Sequence, residues 1–227
     1  MRMSIVMPTL NEAARLRSFL EPLQALRRLG HQVIVCDGDS DDDTRHIAAP
    51  LSDVVITERP GRARQMNAGA RVATGEAVIF LHADTRPPAN FTPMVERALA
   101  GGAHHWGHFD VRLDSDRPLL RLVGEFMNLR SRWTGIATGD QMLFVRRALF
   151  DRVGGFPDIA LMEDIALSKI LKRYGAPACL RARVTTSARR WEAQGAWRTI
   201  FSMWQLRLRY WLGTDPERLA AIYYGKR

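Results

Sequence analysis

The chain has 227 residues with 33 basic and 24 acidic side chains, a formal charge of +9, and is 46% hydrophobic and 25% charged. That length fills one domain with ample core, and the composition excludes a disordered or collagen-like chain. No apolar run approaches 18 residues, the N-terminus lacks an apolar core with a small-residue cleavage site, and Cys36 and Cys179 alone make neither a disulfide framework nor a zinc site, so neither a bilayer span nor export is expected and a reducing cytoplasm is.

Short apolar runs alternate with helix-like stretches through the first half. Residues 3–8 read as a buried strand stopped by Pro8. Asn11 is placed to cap the next helix, whose Leu16, Phe19, Leu20, Leu23 and Leu26 share one face until Gly30. Residues 32–37 and 53–57 read as the next strands, with a helix start near Asp43 between them. Residues 61–73 read as helix and 76–84 as the fourth and most apolar strand. Continuous apolar strands separated by helices imply an α/β fold, a mostly parallel sheet flanked by helices on both faces. Ligands bind such sheets at the carboxyl ends of the strands, here Pro8-Thr9, Asp37, Thr57-Glu58 and His82-Ala83-Asp84. Further on, 104–113 reads as an antiparallel strand, 117–132 as a helix, 141–147 as a strand, and 156–175 as a loop running into an amphipathic helix.

The charge is uneven. Residues 1–180 have a net of +2, whereas residues 181–227 hold 10 basic and 3 acidic groups, a net of +7. Within that tail Trp197, Ile200, Phe201, Trp204, Leu208 and Trp211 fall at helical spacing, with Arg198, Gln205 and Arg209 on the other side. The leading expectation is that this stripe packs on the protein's own core. An interfacial membrane helix and a homodimer contact are the alternatives. The chain divides into a domain at 1–190 and a basic, amphipathic helical appendage at 191–227.

Several chemistries are excluded by what is missing. There is no GxxxxGK[ST] loop, no GxGxxG after the first strand, no HExxH, no CxxC and no GxSxG elbow. What remains is a set of carboxylates at strand ends and helix starts. Asp84 can hold a hard cation that neutralises a diphosphate, or can simply cap a turn. Glu163 and Asp164 can serve as a general base, or can complement the helix dipole.

The series PTLNEA, VCDGDSDDDT, GRARQMNAGA, FLHADT and LMEDIALS, in that order over about 4–168, resembles the motif series of family 2 glycosyltransferases with the GT-A (Rossmann-like) fold. FPDIALMEDIALS, SARRWE and RLRYWLG resemble more narrowly a small cytoplasmic subgroup labelled arsenosugar-biosynthesis or selenium-domain-associated glycosyltransferases. The resemblance implies a metal-dependent, inverting transferase that uses a nucleotide-diphosphate sugar. Pro8, Thr9 and Glu12 would border the nucleoside, and Asp37 would meet base or ribose. Arg64 and Asn67 would lie along the nucleotide. Asp84 would bind Mn2+ or Mg2+, with His82 standing where the family's first acid is usual. Asp164, or else Glu163, would be the general base. Arg189 and Arg190 would cover the diphosphate, while Trp191, Trp106, Asp140 and Gln141 would close the acceptor pocket.

The implied partners are the donor, a small-molecule or lipid-linked acceptor, and a membrane surface at the inner face; nucleic acid is not expected, because the tail has no recognisable nucleic-acid motif. The other readings are a sugar nucleotidyltransferase, which would want a glycine-rich loop after the first strand, and a non-enzymatic protein that binds anionic surfaces or nucleic acid through the tail.

Overall fold

MSIVMPT and QVIVCD have no polar face to turn towards water, so each must be covered on both sides. In the computed structural model, which describes residues 1–225, they form adjacent parallel strands, β1 (Met3–Thr9) and β2 (Gln32–Asp37), inside an eight-stranded sheet. Lys226 and Arg227, the last two residues of the appendage expected at 191–227, lie outside the described residues.

Between β1 and β2 run α1 (Ala13–Leu20) and α2 (Gln24–Arg28). Then follow α3 (Thr44–Ala48), β3 (Val54–Thr57), α4 (Arg62–Arg71), β4 (Ala77–Phe80), β5 (Thr85–Arg86) and α5 (Phe91–Leu99). The second half is β6 (Trp106–Asp114), α6 (Pro118–Thr134), β7 (Phe144–Arg146), α7 (Arg147–Arg152), α8 (Glu163–Leu171) and β8 (Ala178–Ser187). It closes with α9 (Arg189–Gln194), α10 (Ala196–Trp211) and α11 (Pro216–Tyr224).

The strand order is β3-β2-β1-β4-β7-β6-β8-β5. The first four strands pair in parallel; β7 is antiparallel to both β4 and β6, and β6 is parallel to β8. Alternation along β1 sorts the core into two layers. Met3, Ile5 and Met7 join Leu16, Leu20 and Leu23 of the first helices, while Val6 joins Ile34, Cys36, Met66 and Phe80 on the α4 side. On that side Gly69 lets α4 approach the sheet, because a Cβ there would lie 2.6 Å from Cys36 Sγ.

Three expectations need correction, and one strand was not expected. Asn11 does not cap the first helix: its backbone is left-handed (φ 54) and its Oδ1 accepts the Asp41 N–H, tying two loops together. The fourth strand stops at Phe80 rather than 84, and the chain then leaves the sheet, which frees His82 and Asp84. Strand β8 was not foreseen, since its Arg181 and Arg183 point outward and break the apolar run. Finally, the tail stripe is not core: Trp197, Phe201, Trp204 and Trp211 are 71 to 75% exposed. The buried face of α10 is the other one, where Leu206 and the half-buried Met203 and Tyr210 pack with Leu161, Met162, Ile165 and Leu219.

Candidate functional site

The carboxyl end of β1 opens onto a cleft of about 500 Å³. Pro8 and Thr9 line it from β1, Glu12 from the cap of α1, Arg62 and Arg64 from the start of α4, and His82 and Asp84 from the segment after β4. Asp158 and, from the C-terminus, Glu217 and Tyr224 of α11 complete the wall. Gln65 fixes the floor, its Nε2 donating to Thr9 O and Cys36 O, both at 2.7 Å, and so holding α4 to the ends of β1 and β2. Burial raises the pKa of Glu12, with Arg189 opposing that rise. Arg64 Nε donates to both oxygens of Asp158, at 2.8 and 3.1 Å, which pins the loop before α8 across the cleft mouth.

A cluster of charged groups adjoins this cleft. Asp164 and Glu163 open α8, preceded by Met162 in a left-handed conformation (φ 71) that a β-carbon disfavours. That turn sets the Asp164 carboxylate between two backbone donors: Gly139 N–H reaches Oδ2 and Ile165 N–H reaches Oδ1, each at 2.7 Å. Gly139 lies flat on the His82 ring, where a Cβ would sit 2.8 Å from Nε2, so the Asp164 donor and the cleft wall are one contact apart.

Loss of water raises the pKa of Glu163, with the Asp164 charge adding to it and Arg62 opposing. Asp164 is likewise raised by desolvation, against the pull of its two N–H donors, Arg62 and Arg130. Asp140 keeps part of its surface in water, yet crowding by protein pushes its pKa up to about 6, with Asp84 contributing and Arg62 and Arg130 opposing. Burial and Arg62 lower the pKa of His82, which is therefore neutral at neutral pH. Arg62 is the cation common to all four groups.

A neutral imidazole and the Asp84 carboxylate, two residues apart, are both suitable donors for a divalent cation. His82 Nδ1 lies 3.9 Å from Asp140 Oδ1. Among the described residues no three His, Cys, Asp or Glu side chains converge as ligands. The donor set therefore fits a cation that takes most of its oxygens from a bound diphosphate and water, and does not fit a cage built from protein alone.

Other residues expected at the site lie elsewhere. Asp37 is fully buried, accepting from Ser40 N–H (2.8 Å), Ser40 Oγ–H (2.5 Å) and Thr9 Oγ1–H (3.3 Å), so its oxygens close a loop below the cleft. Asn67 is used up on the backbone of Phe156, donating to its carbonyl at 2.8 Å and accepting its N–H at 2.9 Å. Trp106 has no accessible surface and its indole donates to Gly175 O, which corrects its placement in an acceptor pocket. Gln141 is equally buried, its Oε1 held by Ser131 Oγ–H and Thr138 N–H, and is corrected for the same reason. Trp191 packs with Leu120, Val123 and Ala188 between α6 and α9 rather than lining the cleft.

The two arginines expected over the diphosphate part company. Arg189 is exposed near Glu12, whereas Arg190 stacks on Tyr223 at 3.6 Å and donates to its carbonyl, anchoring α11. Sequence reasoning missed Arg62, Arg130 and α11. Arg62 lay in plain sight within GRARQ, two residues before Arg64, whereas no sequence signal tied α11 to the cleft.

Residues 4–155 match the model of glycosyl transferase family 2, a span that ends just before Glu163 and Asp164. Over 101 residues the chain is 34% identical to an uncharacterized glycosyltransferase of Mycobacterium tuberculosis, a match covering 44% of each protein. It is 27% identical over 110 residues to the dolichol-phosphate mannosyltransferase of Pyrococcus furiosus, covering 45% of this chain and 31% of that protein. The matches thus span less than half the length of these curated relatives. In fold, of the GT-A kind, the chain resembles a mannosyltransferase from Pyrobaculum calidifontis solved with GDP-Man and Mn2+, with a TM-score of 0.63 over 81% of this chain and 56% of that one at 24% identity.

Proposed function

The chain belongs to glycosyl transferase family 2, and from that premise we propose that it moves a sugar from a nucleotide-diphosphate sugar to an acceptor hydroxyl, with inversion at the anomeric carbon. The observation that carries this is the juxtaposition of the two acidic elements. Asp84 stands in a cleft supplied with Arg62 and Arg64, and Asp164 is held one contact behind the wall of that cleft through Gly139.

In this reading the ends of β1 and α4 hold the nucleoside against Pro8, Thr9 and Glu12, while Arg62 lies between the diphosphate and the acidic cluster and Arg64, paired with Asp158, adds its charge at the cleft mouth. Guanidinium groups suit phosphate oxygens. A divalent cation, Mn2+ or Mg2+, would be held by Asp84, with His82 beside it, and would supply charge neutralisation to the leaving diphosphate. Asp164 accepts the proton of the acceptor hydroxyl as that oxygen bonds to the anomeric carbon, and the carbon–oxygen bond to the diphosphate breaks on the opposite face. Glu163, raised in pKa beside it, is the alternative base. One carboxylate suffices because the diphosphate leaves without being protonated, unlike the leaving group of a glycosidase.

The acceptor is a small molecule or a lipid-linked group; the relation to a dolichol-phosphate mannosyltransferase supports the second. Placement in the small cytoplasmic subgroup rests on FPDIALMEDIALS, SARRWE and RLRYWLG, segments outside the matched 4–155. The site accordingly belongs in the cytoplasm, at or near the inner membrane face.

The test is a thermal-shift series with UDP-, GDP- and dTDP-sugars, with and without Mn2+. A donor at about 100 times its Kd adds roughly 2.7 kcal/mol, which is on the order of 5–10 °C here. No shift with any donor would sink the proposal.

A further inference from the structure

Helix α10 presents Trp197, Phe201, Trp204, Leu208 and Trp211 to solvent along one side. At 100° per residue these fall within a stripe opposite the buried Thr199 and Leu206. Arginines border it on both flanks, Arg198 and Arg209 on one and Arg207 on the other, and no acidic residue occurs between 196 and 211. Among the described residues none of these three arginines forms an ion pair with a carboxylate.

A second unpartnered stripe belongs to α6, where Leu122, Phe126, Leu129 and Trp133 are exposed, Trp133 at 84%. The two helices meet through a shared apolar cluster of Val123, Met127, Ala196 and Ile200. Isolated exposed apolar residues need no explanation, but two exposed apolar stripes on helices that share a cluster do.

We propose that α10, with α6 beside it, is a docking face for an anionic lipid bilayer, lying in the interface with its indoles at the acyl boundary and its arginines at lipid phosphates. Charge selects this occupant. A second copy meeting the same face would press one α10, with three arginines and no acid between 196 and 211, against another, a like-charge contact that opposes dimerisation. An anionic surface reverses that sign, and the +7 of residues 181–227 adds to the attraction. Tryptophan gathers at membrane interfaces because one edge is apolar and the indole N–H is polar. No helix among the described residues is long and apolar enough to cross a membrane, so α10 lies on the surface rather than through it. Its inner face packs against Leu161, Met162 and Ile165, the turn that carries Glu163 and Asp164, so docking holds the acidic pair about one helix diameter, ~10 Å, from the lipid. Only this last consequence, an acceptor reached from the membrane, rests on the transferase reading.

The experiment is flotation of the full chain with vesicles of phosphatidylcholine alone or mixed with phosphatidylglycerol, in low and high salt. The protein is expected to float with the anionic vesicles, on the order of a hundredfold more tightly than with the neutral ones, and to be released by salt. The double variant Phe201→Ser, Trp204→Ser should bind about tenfold or more weakly, with unchanged circular dichroism and an unchanged donor-induced thermal shift. That last readout separates failure of docking from failure of the transferase reading. Wild-type protein that stays unbound on anionic vesicles overturns the proposal. So does a double variant that floats as well as wild type, or wild-type protein that forms a dimer which the variant dissolves while neither floats.

Discussion

In α1 and the turn that follows it, Leu16, Leu20 and Leu23 have no more than 1% of their surface exposed and share one cluster with Met7 and Val35 of the sheet. In α10, side chains at the same kind of spacing face water, and the burying is done by the other side, through Thr199 and Leu206. Periodicity therefore identifies which residues share a face, and what covers that face depends on the neighbouring elements. For α1 and its turn the neighbour is a sheet with an apolar layer to hide. For α10 it is the turn before α8 and the small face of α11, which match Met203 and Leu206 better than three tryptophans. One region uses its apolar surface to hold the fold, while the other, like the cleft it adjoins, keeps reactive or adhesive groups available.

The contrast is widest where function is separated from folding altogether. Asp164→Asn should lower kcat by on the order of a thousandfold, the weight of a positioned base. Donor-induced thermal shift should stay near wild type, because the donor sits in the cleft on the other side of Gly139, although the amide NH2 leaves one of the two N–H groups without its acceptor and lowers the starting Tm. Single-turnover kinetics beside the thermal shift checks this, and turnover within about threefold of wild type would remove Asp164 as base.

The next largest effect belongs to the buried stripe. Leu20→Ala should cost about 2–5 kcal/mol, the range for a truncated core leucine, and lower Tm by on the order of 5–15 °C. Urea unfolding measures it. A loss below about 1 kcal/mol would mean that α1 contributes little to the fold, and the comparison with α10 would fail.

pH acts on the acidic pair with opposite signs for stability and for activity. Burial raises the pKa of both Glu163 and Asp164 in the folded protein, and the Asp164 charge raises Glu163 further. Groups raised by folding add stability that is fully present below their unfolded values and is lost as pH rises through the folded ones. A base works only when deprotonated, so kcat/KM should climb over that same window, with its acidic limb above the usual carboxylate range. Glu163→Gln removes the charged neighbour: the limb should move to lower pH and the loss of stability across the window should shrink. A limb that stays in place would show that the pair does not titrate together.

The sequence makes the first four strands legible, because each is an apolar run bounded by turn residues. The acidic pair after a loop is equally legible as a helix start. It does not reveal that Asn67 spends both polar atoms on the backbone of Phe156, 89 residues away, or that Asp37 is closed off by Thr9, 28 residues back, as well as by Ser40 three residues on. Nor can it choose between Arg62 and Arg64. Two residues along a helix is about 200°, so one cation turns to the acidic cluster and the other to Asp158, and only the packed loop before α8 decides which. Trp106 misled for a related reason. Its alternating neighbours suggest a half-exposed strand, but β6 runs between β7 and β8, and nothing in the local pattern distinguishes an inner strand from an edge.

The smallest predicted effect is the most demanding of the comparison. Trp204→Ala removes a larger side chain than Leu20→Ala, and by residue size alone it should cost more. Its ring is 74% exposed, so truncation leaves no cavity and returns little apolar surface to water. The expected change is within about 0.5 kcal/mol, roughly 2 °C in Tm. Leu206→Ala, two residues on and 1% exposed, should cost about 2–5 kcal/mol on the same helix. Both can be read from one set of urea curves, and the pair shares a helix and lies two residues apart on it. A large loss at Trp204 with a small one at Leu206 would invert the faces of α10, taking with it both the docking surface and the contact that holds the acidic pair.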